Sequence, residues 1–249
     1  MHPNQIMMDA IYEYLFPDTS YRFNARGETS QIVNMNYEEM KEFYEKFYHP
    51  SNAQAFCFGP ADFVSDCLEE IDSAIAGFDM DEEARLASVV KWQELGTVAN
   101  TKESVNFSSF SEEGDHRAII SWVLNDSFMD GKTEAAWFLI EELLIGSNSG
   151  WITKEVMDNS MGSNVIGGLE HTLQQWTFTI AVTGVPTEAD INGVVDVVRK
   201  KLAAILEEEI DGDAVLAAAS KLDYRVRALV NLWFHGCRMA SKTVLFVFI

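Results

Sequence analysis

Apolar residues recur along the chain in two alternating rhythms, one helical and one strand-like, and their order outlines an α+β protein. Residues 5–15 carry a short helical pattern that breaks at Phe16-Pro17-Asp18, and residues 18–35 read as loop. Tyr37, Met40, Phe43, Tyr44 and Phe47 then fall on one helical face. Asn36 stands ahead of them as N-cap, and Glu39 three residues on can reach back to it. Pro50 ends this helix, because it has no amide hydrogen and bars His49 from helical geometry. Residues 53–58 suit a buried strand, and Gly59-Pro60 a turn. From Asp62 a second amphipathic helix runs through Val64, Cys67, Leu68, Ile71 and Ile75 toward Phe78.

The pattern then changes. Residues 79–103, DMDEEARLASVVKWQELGTVANTKE, are polar with one short apolar patch and read as a linker between domains. Beyond residue 104, residues 116–124 (HRAIISWVL) predict a strand, and residues 133–145 a helix apolar nearly all round. GSNSG breaks that helix. Another follows over 151–159, with Gly162 beyond its end. Residues 173–185, rich in β-branched and aromatic side chains, predict a strand. Thr187 caps a long helix whose Ile191, Val194, Val195, Val198, Leu202 and Ile205 share a face. DGD at 211–213 turns into a last helix that runs through Arg227. Strands followed by long helices imply helices covering one face of a sheet.

Composition narrows the classes. In 249 residues, 47% are hydrophobic and 23% charged, which is globular and not disordered. No apolar run approaches the roughly 18 residues a membrane-spanning helix needs, and no signal-peptide or transit-peptide pattern opens the chain. Cys57, Cys67 and Cys237 form no CxxC pair, so idle thiols in a reducing compartment are expected. The net charge of −21 repels phosphate backbones and disfavours nucleic acid. It hastens encounter with cationic partners, and it also serves plain solubility.

Known motifs are mostly excluded. The histidines are His2, His49, His116, His171 and His235, and no two have HExxH or HxxEH spacing. GSNSG at 146–150 has Asn148 where a nucleophile elbow requires Ser. GSNVIGG at 162–168 has Gly168 where a phosphate loop requires Lys. SEEGDH at 111–116 reads as a flexible acidic loop. Glu170 and His171 point to opposite faces of an extended segment. His49 reads as a structural corner residue. The acidic runs at 79–83 and 207–213 read as solvated element ends. No catalytic or metal-binding residue is assigned, and no substrate-binding residue is identified.

The stretch LFPDTSYRFNARGETSQIVNMNYEEMKEFYEKFYHPSNAQAFCFG, residues 15–59, carries a resemblance. It resembles the presequence-protease branch of the pitrilysin/insulinase-type (inverzincin) zinc metallopeptidases. That branch has an LFPD-x-x-Y segment, a Gly-rich loop, an amphipathic helix, then YHPSNA and an aromatic strand ending in Gly. Residues 48–53 match the hexapeptide letter for letter. More loosely, residues 143–162 resemble the helix pair of the family's second domain, 178–185 its following strand and 221–227 a later helix. The resemblance covers roughly residues 3–229.

It implies α+β, two-layer sheet-and-helix domains of the metallopeptidase LuxS/processing-peptidase-like type, the first one incomplete. Residues 1–78 are expected to be the C-terminal part of the first peptidase domain. Residues 79–103 are the linker, 104–229 the second, peptidase-associated domain, and 230–249 a divergent tail. The family degrades unfolded peptides, including basic targeting peptides, in the mitochondrial matrix or plastid. Its zinc is held by two His of an HxxEH helix, whose Glu activates water, and by a later Glu. On this alignment all of these are expected to precede the chain, so zinc belongs to the full-length family and none is expected to be bound here. NARGET also lacks the paired glycines and the Pro usual in that loop.

The resulting expectation is a fragment of a presequence-protease-like zinc metalloendopeptidase, inactive alone, whose partners are unfolded basic peptides and the remaining peptidase domains. The alternative is a non-catalytic peptide-binding or scaffolding subunit of a pitrilysin-type complex. An unrelated acidic interaction module is the third reading. Neither nucleic acid nor membrane is an expected partner.

Overall fold

A computed structural model describes residues 3–24, 27, 29–96, 116–208, 210–239 and 244–248. In chain order its elements are α1 (Pro3–Leu15), α2 (Thr29–Ile32), α3 (Tyr37–Phe47), β1 (Gln54–Phe58), α4 (Ala61–Ile75), α5 (Glu82–Ala87), β2 (His116–Val123) and α6 (Gly131–Leu144). There follow α7 (Trp151–Asp158), β3 (Asn164–Glu170), β4 (Thr177–Val185), α8 (Ile191–Glu207), α9 (Gly212–Met239) and β5 (Val244–Phe248). The fold class is α+β, as the alternating patterns imply. Packing divides the chain into two compact units: Met1–Asn24 with Trp92–Arg227, and Ala25–Lys91 with Ala228–Ile249.

The larger unit is built on an antiparallel sheet of order β2-β4-β3. β4 lies in the middle because its sequence, TFTIAVTGV, can be buried on both faces. Phe178, Ile180 and Val182 form one face, Thr177, Thr179 and Ala181 the other, and all six are buried. Where the second set pairs with β2, the Ser121 and Thr179 hydroxyls hydrogen-bond at 2.9 Å. The first set meets Leu144 of α6, Ile152 and Val156 of α7, and Val194 and Val198 of α8. Each such side chain contributes about 1.5–3 kcal/mol through removal from water. The helices start where their caps dictate. The Asp130 carboxylate accepts the Thr133 amide at 2.7 Å, and this bond holds the acid below its ordinary pKa. Ahead of α8, the Thr187 amide donates to Asp190 at 3.1 Å.

The N-terminal segment joins this unit. Phe16 is fully buried and packs edge-to-face on Tyr21 at 5.3 Å. The Asp18 amide donates to the Gln93 side chain at 3.0 Å, and that side chain's amide returns a bond to the Asp18 carboxylate at 2.8 Å. The Tyr21 hydroxyl accepts the Gln174 amide at 3.1 Å. LFPD-x-x-Y is therefore a strap held by residues far along the chain.

The smaller unit has a different character. The Asn36 side chain caps α3 by accepting the Glu39 amide at 2.9 Å, as its position predicts. β1 pairs only with β5 among the described residues, in antiparallel register from Gln54↔Phe248 to Phe58↔Val244. Ala84 is its one buried side chain among those described.

Several sequence expectations change. The first 24 residues pack in one unit with residues 92–227, and the Asp18–Gln93 and Tyr21–Gln174 hydrogen bonds tie them there. The expected linker contains α5, opened by the Asp81 carboxylate accepting the Ala84 amide at 2.9 Å. It also contains Gln93, which is buried in the larger unit, while 97–103 lies outside the described residues. Residues 164–170, weighed above only as part of a phosphate loop, form a strand. The 173–185 strand begins at Thr177, and the last helix continues past Arg227 to Met239.

Candidate functional site

The residues singled out for chemistry sit mostly in structural roles. His49 opens a single turn of tight helix, Pro50–Asn52, and its Nδ1 accepts the Ser51 amide at 3.2 Å. Its ring meets Phe78 edge-on at 5.6 Å. Within the same hexapeptide, the Asn52 side chain donates to the Phe47 carbonyl at 3.0 Å and to the Ser88 hydroxyl, and the Ser51 hydroxyl accepts the Asp81 amide at 2.8 Å. YHPSNA thus ties the end of α3 to the residues around α5. GSNSG forms the turn between α6 and α7, its Gly150 amide donating to the Ser147 carbonyl at 2.9 Å. Cys57 and Cys67 are free, half-buried thiols.

His116 begins β2. His171 is exposed after β3, against Phe138 at 5.2 Å and Trp176 at 5.5 Å. His2, the side chains of His235 and Cys237, and residues 111–115 of SEEGDH lie outside the described residues. Among the described residues, no group of three or more His, Cys, Asp or Glu could hold a metal ion. A zinc centre needs such converging donors, so the described side chains do not fit zinc. No helix among the described residues is long and apolar enough to cross a membrane.

Sequence reasoning missed the charged cluster where α6, β3 and α9 meet. Glu142 is buried on α6. Lys221 forms an ion pair with it and also donates to the Gly146 carbonyl at 2.8 Å. Arg225 comes within 3.2 Å of Glu142 Oε2, yet its N–H groups are not aligned for a hydrogen bond. The gain there is charge attraction alone. The next residue back, Glu141, faces β3 and accepts the Leu169 amide at 3.4 Å. Gly168 makes this approach possible, since a β-carbon there would overlap the Glu141 carboxylate. The only sequence signal was the adjacent pair of acids inside an otherwise apolar helix.

Burial raises the Glu141 pKa and the nearby Glu142 charge adds to this, while the Leu169 amide, Arg225 and His171 oppose it. A carboxyl with a raised folded-state pKa favours the folded state most at pH below its unfolded value, and that support is lost as pH rises through the folded value. Stability of the native protein should therefore fall through this group as pH rises above the ordinary glutamate value of about 4.3. Glu141→Gln should flatten that segment of a Tm-against-pH curve and equal or exceed the native protein at neutral pH. The gain should stay under about 1 kcal/mol, because the group is half exposed.

A second cluster is wholly polar and uncharged at its centre. The Gln175 side-chain amide donates to the Gln93 carbonyl at 2.9 Å and the Asn125 carbonyl at 2.7 Å, and its oxygen accepts the Gln93 amide at 2.6 Å. The Asn125 side chain accepts the Trp176 amide at 2.7 Å. Gln93 and Gln175 are almost entirely buried and satisfy each other. This network anchors the LFPD strap through the Gln93–Asp18 hydrogen bonds.

The sequence pattern of the family described as "Peptidase M16 inactive domain" matches residues 34–222. The chain belongs to this family. Presequence protease 1, chloroplastic/mitochondrial, of Arabidopsis thaliana is 26% identical over 230 residues, covering 90% of the chain and 21% of that protein. Protein HypA of Clostridium perfringens is 27% identical over 236 residues, covering 90% of the chain and 23% of that protein. The chain thus spans about a fifth of the length of these curated relatives. Among solved structures, an M16-like peptidase from Alicyclobacillus acidocaldarius superposes with a TM-score of 0.59 at 15% identity, covering 92% of this chain and 53% of that one. That likeness concerns the fold, and it agrees with the α+β reading. The matched M16 stretch includes the YHPSNA corner, the Glu142–Lys221 ion pair and the Gln93–Gln175 network, but it starts after the LFPD strap and ends before Arg225.

Proposed function

We propose that this M16 inactive-domain chain serves as the non-catalytic, peptide-holding portion of a presequence-protease-type zinc peptidase, inactive alone, acting on unfolded cationic peptides such as organellar targeting sequences. The observation that carries the reading is the inactive-domain match across residues 34–222. The presequence-protease relative supports the substrate class and a mitochondrial or plastid location. The net charge of −21 supports it independently, since an acidic surface concentrates cationic peptides. The zinc and the water-activating carboxylate belong to the other portion of the peptidase, and this chain's residues bind and orient.

The test is turnover of a fluorescent, unfolded cationic peptide. The purified chain with added zinc should give none. Added to the zinc-bearing portion of a presequence protease, it should restore cleavage, and the KM should rise with salt as the roughly 8 Å screening length at physiological strength shortens. Turnover by the chain alone with one tightly held zinc, or no restoration by the mixture, would refute the reading.

A further inference from the structure

Cys57 and Cys67 take no part in the roles described so far. Of the five residues of β1, Cys57 alone is half-buried. Along α4, Val64, Cys67 and Ile71 are half-buried and every other residue is exposed. Spacings of three and four put these three on one helical face. α4 packs against β1, so the faces that strand and helix withdraw from water are the ones that meet, and each carries a thiol.

Position along the two elements agrees. Only Gly59 and Pro60 separate β1 from α4, so the helix folds back along the strand. Cys57 lies two residues before Gly59, about 7 Å along a strand. Cys67 lies seven residues beyond Pro60, about 10 Å along a helix. The two thiols thus come nearly level between strand and helix. Their proximity also leaves an electrostatic trace: burial raises the Cys67 pKa, and charge at Cys57, then at Glu70 and Asp66, raises it further. Both thiols are free in the structure.

We propose that Cys57 and Cys67 form a reversible dithiol–disulfide pair, a modification site at which a low-molecular-weight disulfide clamps α4 onto β1. A thiolate of the pair attacks one sulfur of glutathione disulfide, forming a mixed disulfide and expelling one glutathione thiolate. The other cysteine, deprotonated, attacks the protein sulfur of that mixed disulfide and expels the second glutathione thiolate. One S–S bond forms in the protein as that of glutathione disulfide breaks. Two electrons pass to the glutathione, and the two protons lost by the cysteines end on its two thiols. In a reducing compartment the pair rests as thiols. Oxidation closes the short loop of residues 57–67, which restricts the opened chain. Ala84 is the one buried side chain of this unit among those described, so little packing opposes the opening of α4 and a covalent tie acts strongly there.

The experiment incubates the full chain with glutathione disulfide, without denaturant, and digests it with trypsin. No Lys or Arg lies between Lys46 and Arg85, so one peptide, residues 47–85, holds both cysteines. That peptide should lose the mass of two hydrogens, and cleavage before Asp62 and Asp66 should leave its ends joined until dithiothreitol is added. The amide hydrogens of residues 54–58 and 61–75 should exchange about tenfold more slowly in the oxidised chain. Cys67→Ser should abolish both changes, and Cys237→Ser should leave both in place. Glutathione adducts without ring closure, a bridge to Cys237 or between copies, or closure that occurs only in urea would overturn the pair. A closed bridge that leaves exchange unaltered would overturn the clamp.

Discussion

Gly167→Ala should lose roughly 3–5 kcal/mol of stability, enough to unfold a domain of ordinary margin. Gly167 sits at φ +136°, where side chains bearing a β-carbon are strained. A β-carbon there would also overlap the Thr179 carbonyl oxygen, which belongs to the backbone of β4 and cannot swing aside. Strain of about 1–3 kcal/mol thus adds to displacement of the central strand. Urea denaturation followed by tryptophan fluorescence measures this directly. Gly212→Ala is the contrast, because nothing lies within 4 Å of its added carbon. It should change stability by no more than about 0.5–1 kcal/mol. Equal losses at the two sites would mean the strand does not follow the path described.

Gln175→Leu should be nearly as damaging, for a different reason. The substitution keeps the volume filled and removes only polar atoms. It leaves the Gln93 amide, the Gln93 carbonyl and the Asn125 carbonyl without the partner they have now. Each unsatisfied buried group costs about 1–3 kcal/mol, so a loss of roughly 3–5 kcal/mol is expected. The loss should not be uniform. Gln93 holds Asp18, so residues 16–21 should become accessible to protease at denaturant concentrations where the sheet remains folded. A variant with native stability and a protected strap would show that water replaces the glutamine at no cost.

Much of the architecture was legible in the sequence, for identifiable reasons. α3, α4, α7 and α8 combine a cap or a breaker with a one-sided apolar face, and both signals act within a few residues. β2 and β4 declare themselves through β-branched and aromatic content. β3 did not, because NVIGGLE has two glycines at its centre and lacks alternation. Its strand character comes from pairing with β4, and its glycines from the overlap each would otherwise make, with Thr179 at Gly167 and with Glu141 at Gly168. α5 was hidden in a polar run whose Asp81 cap went unread. The packing of the strap was not legible because Asp18 and Tyr21 take partners 75 and 153 residues away, which no local pattern records. The same holds at the charged cluster: Glu142 stands beside Lys221 only after α6 and α9 have packed. Resemblance is specific around YHPSNA, where His49, Ser51 and Asn52 each make hydrogen bonds that hold the corner.

The strap also sets a timetable. The Tyr21 hydroxyl meets an amide 153 residues later, and Gln93 meets Gln175 across 82. A ribosome adding about 5–20 residues per second releases α1 roughly 8–30 s before its last anchor emerges. Throughout that interval Tyr21 lacks that partner, and the amphipathic helices α3 and α4 are already in solution. Closure of long loops, not helix formation, should then limit how fast the chain matures, and holdase chaperones binding the nascent chain should raise its yield more than any added helix propensity could.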